Sequence, residues 1–521
     1  MLRRIAVFVL VACFTVVFPV MMQAQAAPAA PEGVTPGAVF HVQSRLVVLD
    51  VVVTDAQGKP VSGLTRNDFA VFEDKQPQTV KFFEQPTVHE LPATTKPGAA
   101  FNSEDTRGYG QSPVTVLVLD ELNTHFADTD FAKRSLREFL TSRPATLNEP
   151  TMLVAVGDKK FQLLQNFTRN RAALLAALEA HKASYSWKLE LGKGVGPESV
   201  ERLDLSISAL EQIAQSTARI PGRKNLVWVG QGFPSLDPAG ISPADSRKIT
   251  EVLQHVTDTL LDTRVTLYAV DPTSNATGDT EITDPDQLMF ARMTGDSTGR
   301  LMDPFNQQLD FDRLGPVTGG RVLRGTNDID QQIAASVEMG EHFYTLGYTP
   351  TNTSEADSAF RKITVKCLKP GVSIMTRDGY YAGASARQKS ADNVAFDLNN
   401  AVMADMLFTA LHIRVEPIGN DEYSVHVAAP GLTWSGIDAS GEHVAEAEVL
   451  GASLSAKNDV LAHTLHTMKA TARAAANVHS PSLPADFTIS LLRPKGTVRM
   501  RFIVRDTSSG SMGSFDLRLP Q

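Results

Sequence analysis

Cysteine is almost missing from this chain of 521 residues: Cys13 and Cys367 are the only two. Cys13 lies inside an N-terminal apolar run that reads as a leader, so a processed chain keeps Cys367 alone and no intramolecular disulfide can form. In "KITVKC", Ile363, Val365 and Cys367 alternate onto one face, which predicts a packed, unreactive thiol. Positive charge is also short, with 49 Lys+Arg against 58 Asp+Glu. Losing Arg3 and Arg4 with the leader widens that excess by two, and without a basic face nucleic-acid binding is excluded. Beyond the leader no run is apolar for long enough to span a bilayer. Catalytic signatures are weak as well: "GDSTG", 295–299, has the G-x-S-x-G spacing but no continuous apolar strand before it, and no Cys-His pair survives processing. "GKGVGP", 192–197, alternates glycines, but no strand precedes it and no lysine-hydroxyl pair follows. It predicts a loop leading into a helix near Glu198, not a phosphate cradle. With no nucleophile in a supporting context and no cofactor motif, a non-enzymatic protein is expected.

What is present starts with "MLRRIAVFVLVACFTVVFPVMMQAQA": two arginines, an apolar run, then the small-residue pattern Ala24-Gln25-Ala26. This predicts a secretory signal peptide over 1–26, cut after Ala26, and hence a periplasmic, cell-surface or extracellular protein. "LVAC" also fits a lipoprotein box. However, the apolar run continues through Cys13 to Met22, as an uncut signal core does. The rest, in a chain 42% hydrophobic and 21% charged, is ordinary globular sequence too long for one core.

The rhythm of the sequence changes twice. After a Pro/Ala-rich tail (27–37), residues 38–88 alternate β-branched and aromatic runs with turn signals at "DAQGKP" and "EDKQPQ", predicting a small β-module of four or five strands. A Pro/Gly/Ser/Thr-rich linker spans 89–112. From 113 to 385 the apolar runs become continuous: "VTVLVL", "MLVAV", "NLVWV" and "VTLYAV" read as strands buried on both faces of a parallel sheet. Between them Phe131, Leu136, Phe139 and Leu140 share one helical face, and Leu203, Ile207, Leu210 and Ala214 another. The expectation is a doubly wound, mostly parallel, Rossmann-like α/β domain with right-handed crossovers. "FRKITVKC" and "SIMTRDGYYA" add β structure at the sheet edge or as an appended hairpin. Residues 386–521 return to alternation, predicting a C-terminal β-sandwich.

Ligands of open parallel sheets gather where connections part to opposite faces, at the carboxyl ends of the strands. Asp120 ends the first strand of this domain, and "GQGFP", 230–234, ends the strand expected beside it. The arrangement resembles the von Willebrand factor A fold. More closely, "VVLDVVVTDAQGKPVSGLTRNDFAVFEDKQPQ", "LVLDELNT", "LEQIAQSTARIPGRKNLVWVGQGFP", "LYAVDP", "TGGRV", "NDID" and "YTLGYTP…FRKITVK…GYYA" resemble the VWFA-related family described from Acidobacteria, over roughly 40–383. The resemblance implies an exported protein with a type A-like domain and brings no established activity with it.

The broader fold often carries a metal-ion-dependent adhesion site, Asp-x-Ser-x-Ser followed by a threonine and an aspartate from later loops, which offers a divalent cation hard oxygen ligands. Here Asp120 matches the first position and Thr124 conservatively the third. Leu122 breaks the second, and Gln231 stands where the later aspartate belongs. Asp204, Ser206 and Ser208 lie near the expected second loop. Glu121, Asp128 and Asp130 are possible substitutes, although extended geometry aims Glu121 away from Asp120. The expectation is a degenerate site, Asp120 and Thr124 its remaining ligands, that has lost its magnesium or manganese.

Other constellations carry less. His463 and His466 in "HTLH" suit a zinc pair on a helix, but on a strand the odd spacing sends them to opposite faces. "PGRKN", 221–225, reads as a helix stop whose basic pair is solvated or caps carbonyls. "GDTEITDPDQL", 278–288, reads as an acidic loop lacking the glycine and glutamate of a calcium site. The expected function is protein interaction of an adhesion type, through loops carrying Asp120, Glu121, Asn123, Gly230, Gln231 and Asp271. The alternatives are a hydrolase with its site at a domain junction and a structural component of the envelope.

Overall fold

The computed structural model describes residues 46–91, 109–158, 161–183, 197–234, 242–273, 311–324, 328–352, 359–435, 442–472 and 484–519. The expected leader (1–26), the tail after it, most of the expected linker over 89–112, the glycines of 192–196 and the acidic stretch 278–288 lie outside them. Met1–Gln43 and Ser44–Gln521 separate as two units, and the description below concerns the second.

The chain begins with β1 (Val47–Thr54), β2 (Phe69–Glu73), β3 (Gln76–Gln78) and β4 (Val80–Glu84). These strands do not close a module among themselves, as explained by their partners below. The central region then runs β5 (Val114–Asp120), α1 (Phe126–Ser142), β6 (Thr146–Val156), β7 (Phe161–Asn170), α2 (Arg171–Ala180), α3 (Pro197–Thr217), β8 (Lys224–Val229), α4 (Pro243–Asp262), β9 (Val265–Val270), α5 (Phe311–Thr318), β10 (Val322–Leu323) and α6 (Ile329–Glu341). Its strands form a six-stranded sheet in the order β10-β9-β8-β5-β6-β7, parallel except for the antiparallel edge β7.

Every residue of β5, β8 and β9 is buried, as continuous apolar runs require when helices cover both faces. On one face Val116, Val118, Leu226 and Leu267 pack with Leu203, Ile207, Leu210 and Ala214 of α3 and with Leu253 and Val256 of α4. On the other, Leu117, Leu119, Val227 and Val229 meet Leu136, Phe139 and Leu140 of α1, Leu174 of α2 and Ile333 of α6. From β5 the chain crosses to β6 on one side, and after α3 it returns to β8 on the other. The sheet therefore reverses its winding at β5.

Beyond α6 come β11 (Tyr344–Tyr348), β12 (Phe360–Cys367), β13 (Ser373–Met375) and β14 (Gly379–Tyr381). They neither extend the central sheet nor stand as a separate hairpin. Instead they interleave with the first four strands into two antiparallel sheets, β13-β1-β11-β4 and β14-β12-β2-β3. β1 faces β11 with Leu49 opposite Leu346, and β2 faces β12 with Val71 opposite Val365. Leu49, Val51, Phe69, Val71, Tyr344, Leu346, Ile363 and Val365 fill the space between the sheets, with Cys367 half-buried at the margin. Residues 47–84 alone expose one side of each sheet, so 344–381 supply what they lack. The α/β region is thus an insertion within a sandwich.

The C-terminal region starts with helices, α7 (Ala384–Gln388) and α8 (Ala391–Met403), before β15 (Ile413–Pro417), β16 (Glu422–Val427), β17 (His443–Leu454), β18 (Val460–Ala472), β19 (Ala485–Ser490), β20 (Arg499–Asp506) and β21 (Met512–Arg518). The strands make antiparallel sheets β15-β16-β19 and β18-β17-β20-β21 around Val425, Phe487, Val449 and Phe502. α8 covers the outer face of the larger sheet, where Leu398 and Val402 meet Leu450 and Ile503. His463 and His466 lie exposed on strand β18, which settles the choice between helix and strand and leaves no zinc pair on a helical face.

Candidate functional site

The reversal at β5 sets the end of that strand beside the end of β8, in register from Val114 against Lys224 to Leu119 against Val229. Asp120 is fully buried there, and both of its oxygens are occupied. Oδ1 accepts from the backbone N–H of Leu122 and of Asn123, each at 3.0 Å. Oδ2 accepts from Trp228 Nε1 and from the backbone N–H of Gly232, also at 3.0 Å. Burial pushes the Asp120 carboxyl up to about 6, against the opposing pull of these four donors.

The surrounding residues tighten the same joint. Gln231 N–H donates to Thr124 Oγ1 at 3.2 Å, and Asn123 Nδ2 donates to Ser206 Oγ at 2.8 Å and to the carbonyl of Gly232. Gly230 is required by this closeness: at φ +154 an added Cβ would lie 2.3 Å from Asp120 Cβ and 2.6 Å from Thr124 Oγ1. Gly232, at φ +80, presses against the ring of Phe311, which lies tilted against Trp228 and edge-on to Phe233.

These residues do not fit a divalent cation. The four N–H groups occupy the Asp120 carboxylate where a metal would need it, and Thr124 Oγ1 already accepts from Gln231. Leu122 is part of the hydrophobic core, Gln231 brings no charge, and Ser206 and Ser208 are buried within helix α3 rather than carried on a loop. Asp130 stands on the exposed face of α1 beside Arg134. Glu121 points away from Asp120, as expected, and meets His181 Nε2 at 2.6 Å with both side chains buried.

The residues expected to face a partner are mostly enclosed. Asp120, Glu121, Asn123, Gly230 and Asp271 are buried, and Gln231 is half-buried. Asp271 is held by Thr273 Oγ1 at 2.7 Å and Arg324 Nε at 3.0 Å. The turns after β5 and β8 pack directly on one another, which encloses Asp120, Asn123 and Gly230. His125 is exposed and Phe126 is 50% exposed at the start of α1.

Trp228 and His181 were not foreseen as parts of this joint. The indole N–H is the one side-chain hydrogen-bond donor inside "LVWV" and was therefore readable; nothing near His181 marks it as the partner of a residue sixty positions earlier. The basic pair of "PGRKN" is buried, not solvated. Lys224 Nζ caps the carbonyls of Ile220 and Thr263, and Arg223 reaches Tyr268 Oη at 2.8 Å.

No family model and no curated protein matches the chain. Among solved structures, it is similar to proximal thread matrix protein 1 of the mussel byssus at 12% identity and a TM-score of 0.21, over 30% of this chain and 37% of that one. A VWA domain is also among the matches. That domain, from SpRpn10, is 13% identical with a TM-score of 0.17, over 31% of this chain and 89% of its own. A mutant of the PilB minor pilin from Streptococcus sanguinis matches at 9% identity and a TM-score of 0.25, over 43% of this chain and 60% of the pilin. The chain thus spans less than two thirds of the mussel protein and of the pilin, and likenesses this weak do not decide its function.

Proposed function

We propose that this is an exported, non-enzymatic interaction protein of the VWFA-related kind, whose type A-like sheet presents a metal-free platform to a protein partner. The observation that carries the reading is the capture of Asp120 by four N–H donors, which ties the loops after β5 and β8 into one rigid frame. Next to that frame His125 and Phe126 are exposed and Gln231, bonded to Thr124, is half-exposed, offering the apolar and polar surface that protein contacts use. A rigid scaffold that carries exposed loop residues needs little ordering when it binds.

A hydrolase at a domain junction is the second reading, because Glu211 and Asp397 set two carboxylates beside His255 where α8 meets α3 and α4. Those side chains are enclosed, and hydrolysis needs water and substrate at its carboxylates. The test is a photo-crosslinking residue placed at Phe126 and, as a control, at the exposed Lys457, in the exported chain within the envelope fraction. A discrete adduct from position 126 only is expected. Equal adducts from both positions, or none from 126, would overturn the proposal.

A further inference from the structure

Glu211 of α3, His255 of α4 and Asp397 of α8 come together far from the switch point. One ligand atom from each lies within 4.8 Å of the others. The three residues are 0%, 1% and 0% exposed. His255 Nε2 lies 2.6 Å from Asp397 Oδ1, and Asp397 Oδ2 accepts from Arg505 Nε of β20 at 2.8 Å. Arg505 goes on to Glu448 at 3.0 Å and to the carbonyl of Gln388 at 2.6 Å. Glu211 Oε1 accepts from Gln215 Nε2 at 2.9 Å.

Two features of the cluster are left open by these bonds. Glu211 Oε2 and His255 Nδ1 are buried without a hydrogen-bond partner, which is costly for any polar atom and most of all for a carboxylate oxygen. Charge is also out of balance. Asp258 is matched by Arg387 at 2.7 Å, and Asp397 and Glu448 share the guanidinium of Arg505, whereas Glu211 has no Lys or Arg partner among the described residues. A divalent cation would meet the Glu211 and Asp397 carboxylates together.

We propose that Glu211, His255 and Asp397 bind a divalent transition-metal ion of the zinc class. One imidazole and two carboxylates suit zinc, whereas magnesium and calcium favour all-oxygen shells. An ion bound at Nε2 takes the imidazole with its proton on Nδ1, so the proton shared between Nε2 and Asp397 Oδ1 leaves to solvent and the two atoms part to ligand spacing. Three helices contribute one ligand each, so the ion ties α8, and through Arg505 the C-terminal sheet, to α3 and α4. Its enclosure makes it a structural ion rather than a catalytic one.

The competing occupant is a proton on Glu211, and the test separates the two. The full exported chain is dialysed against chelator, reloaded with zinc, gel-filtered, and measured for metal content and melting temperature, alongside Glu211→Gln, His255→Gln and a control with His463→Gln and His466→Gln on β18. The expected result is about one zinc per chain, as for a structural site of this type, with a melting temperature that falls on chelation and recovers on reloading. Glu211→Gln and His255→Gln should lose the ion, and the control should keep it. Cobalt(II) loaded into the unaltered chain should show the d–d bands of an ordered nitrogen-oxygen site, a readout independent of how the variants fold. Overturning results are an unaltered chain that retains no zinc or cobalt, zinc that the β18 control loses, or a Glu211→Gln chain that is more stable while the unaltered chain is metal-free.

Discussion

Asp120 shows how N–H donors satisfy a buried carboxylate. A carboxylate aimed into a turn at the end of a parallel strand must be neutralised or hydrogen-bonded, and here four N–H groups do what a cation does elsewhere. Asp120→Asn keeps the shape but turns an NH2 group toward two of those donors. It should cost about 1–3 kcal/mol in urea unfolding, while Trp228→Phe, which removes one donor, should cost less. Equal stability of Asp120→Asn and the unaltered chain would show that the donors do not matter. The titration of buried acids has a definite sign. Asp120 is raised from 3.8 to about 6 and Glu149, buried against Thr115 and near Glu341, from 4.5 to about 8. Each takes up a proton on folding between those values, so its contribution is full below the unfolded value and is lost as pH rises through the folded one. Stability should therefore fall between pH 5 and pH 8, and Glu149→Gln should flatten that slope and be the more stable chain at pH 8. Parallel curves for the two chains would contradict this.

At the scale of elements, what could be read from the sequence was whatever depends on near neighbours. The continuous apolar runs named β5, β6, β8 and β9, and the placing of Asp120 opposite the "GQGFP" loop followed from the rule for parallel sheets. Which strand pairs with which across an antiparallel sheet is not written in alternation. Val71 looks the same whether its neighbour is Gln78 or Val365, and it has both. The insertion of the α/β region into the sandwich was therefore hidden, as was the cluster of Glu211, His255 and Asp397, because none of these residues carries a local sign of the others. This has a consequence for truncation. A fragment beginning at residue 110 and ending at 385 keeps β11 to β14 but loses the strands they pair with, exposing Leu346, Ile363 and Val365. It should aggregate and bind a hydrophobic dye, whereas a fragment ending at residue 343 should do so less. The reverse order would mean that the sandwich is not shared. Similarly, Arg505→Ala leaves Asp397 and Glu448 without their guanidinium and should cost about 3–5 kcal/mol, as breaking a buried ion pair does.

For the whole molecule, the sandwich around the insertion and the C-terminal sandwich hold the sheet from two directions. Asp50 of β1 meets Arg264 at 2.6 Å where β9 begins, and Arg505 of β20 joins the helices through Asp397. The switch-point loops are thereby held on a frame braced at a distance from them, which suits a binding surface more than a moving active site. The most direct measurement is thermal unfolding of the full chain in chelator and then with magnesium, calcium or manganese added, comparing the unaltered chain with Asp120→Ala. A cation bound at Asp120 at about 100 times its dissociation constant would stabilise by about 2.7 kcal/mol. The expected result is that no added cation gives a stabilisation that depends on Asp120. A rise in melting temperature that Asp120→Ala abolishes would show a working metal site and contradict the metal-free platform.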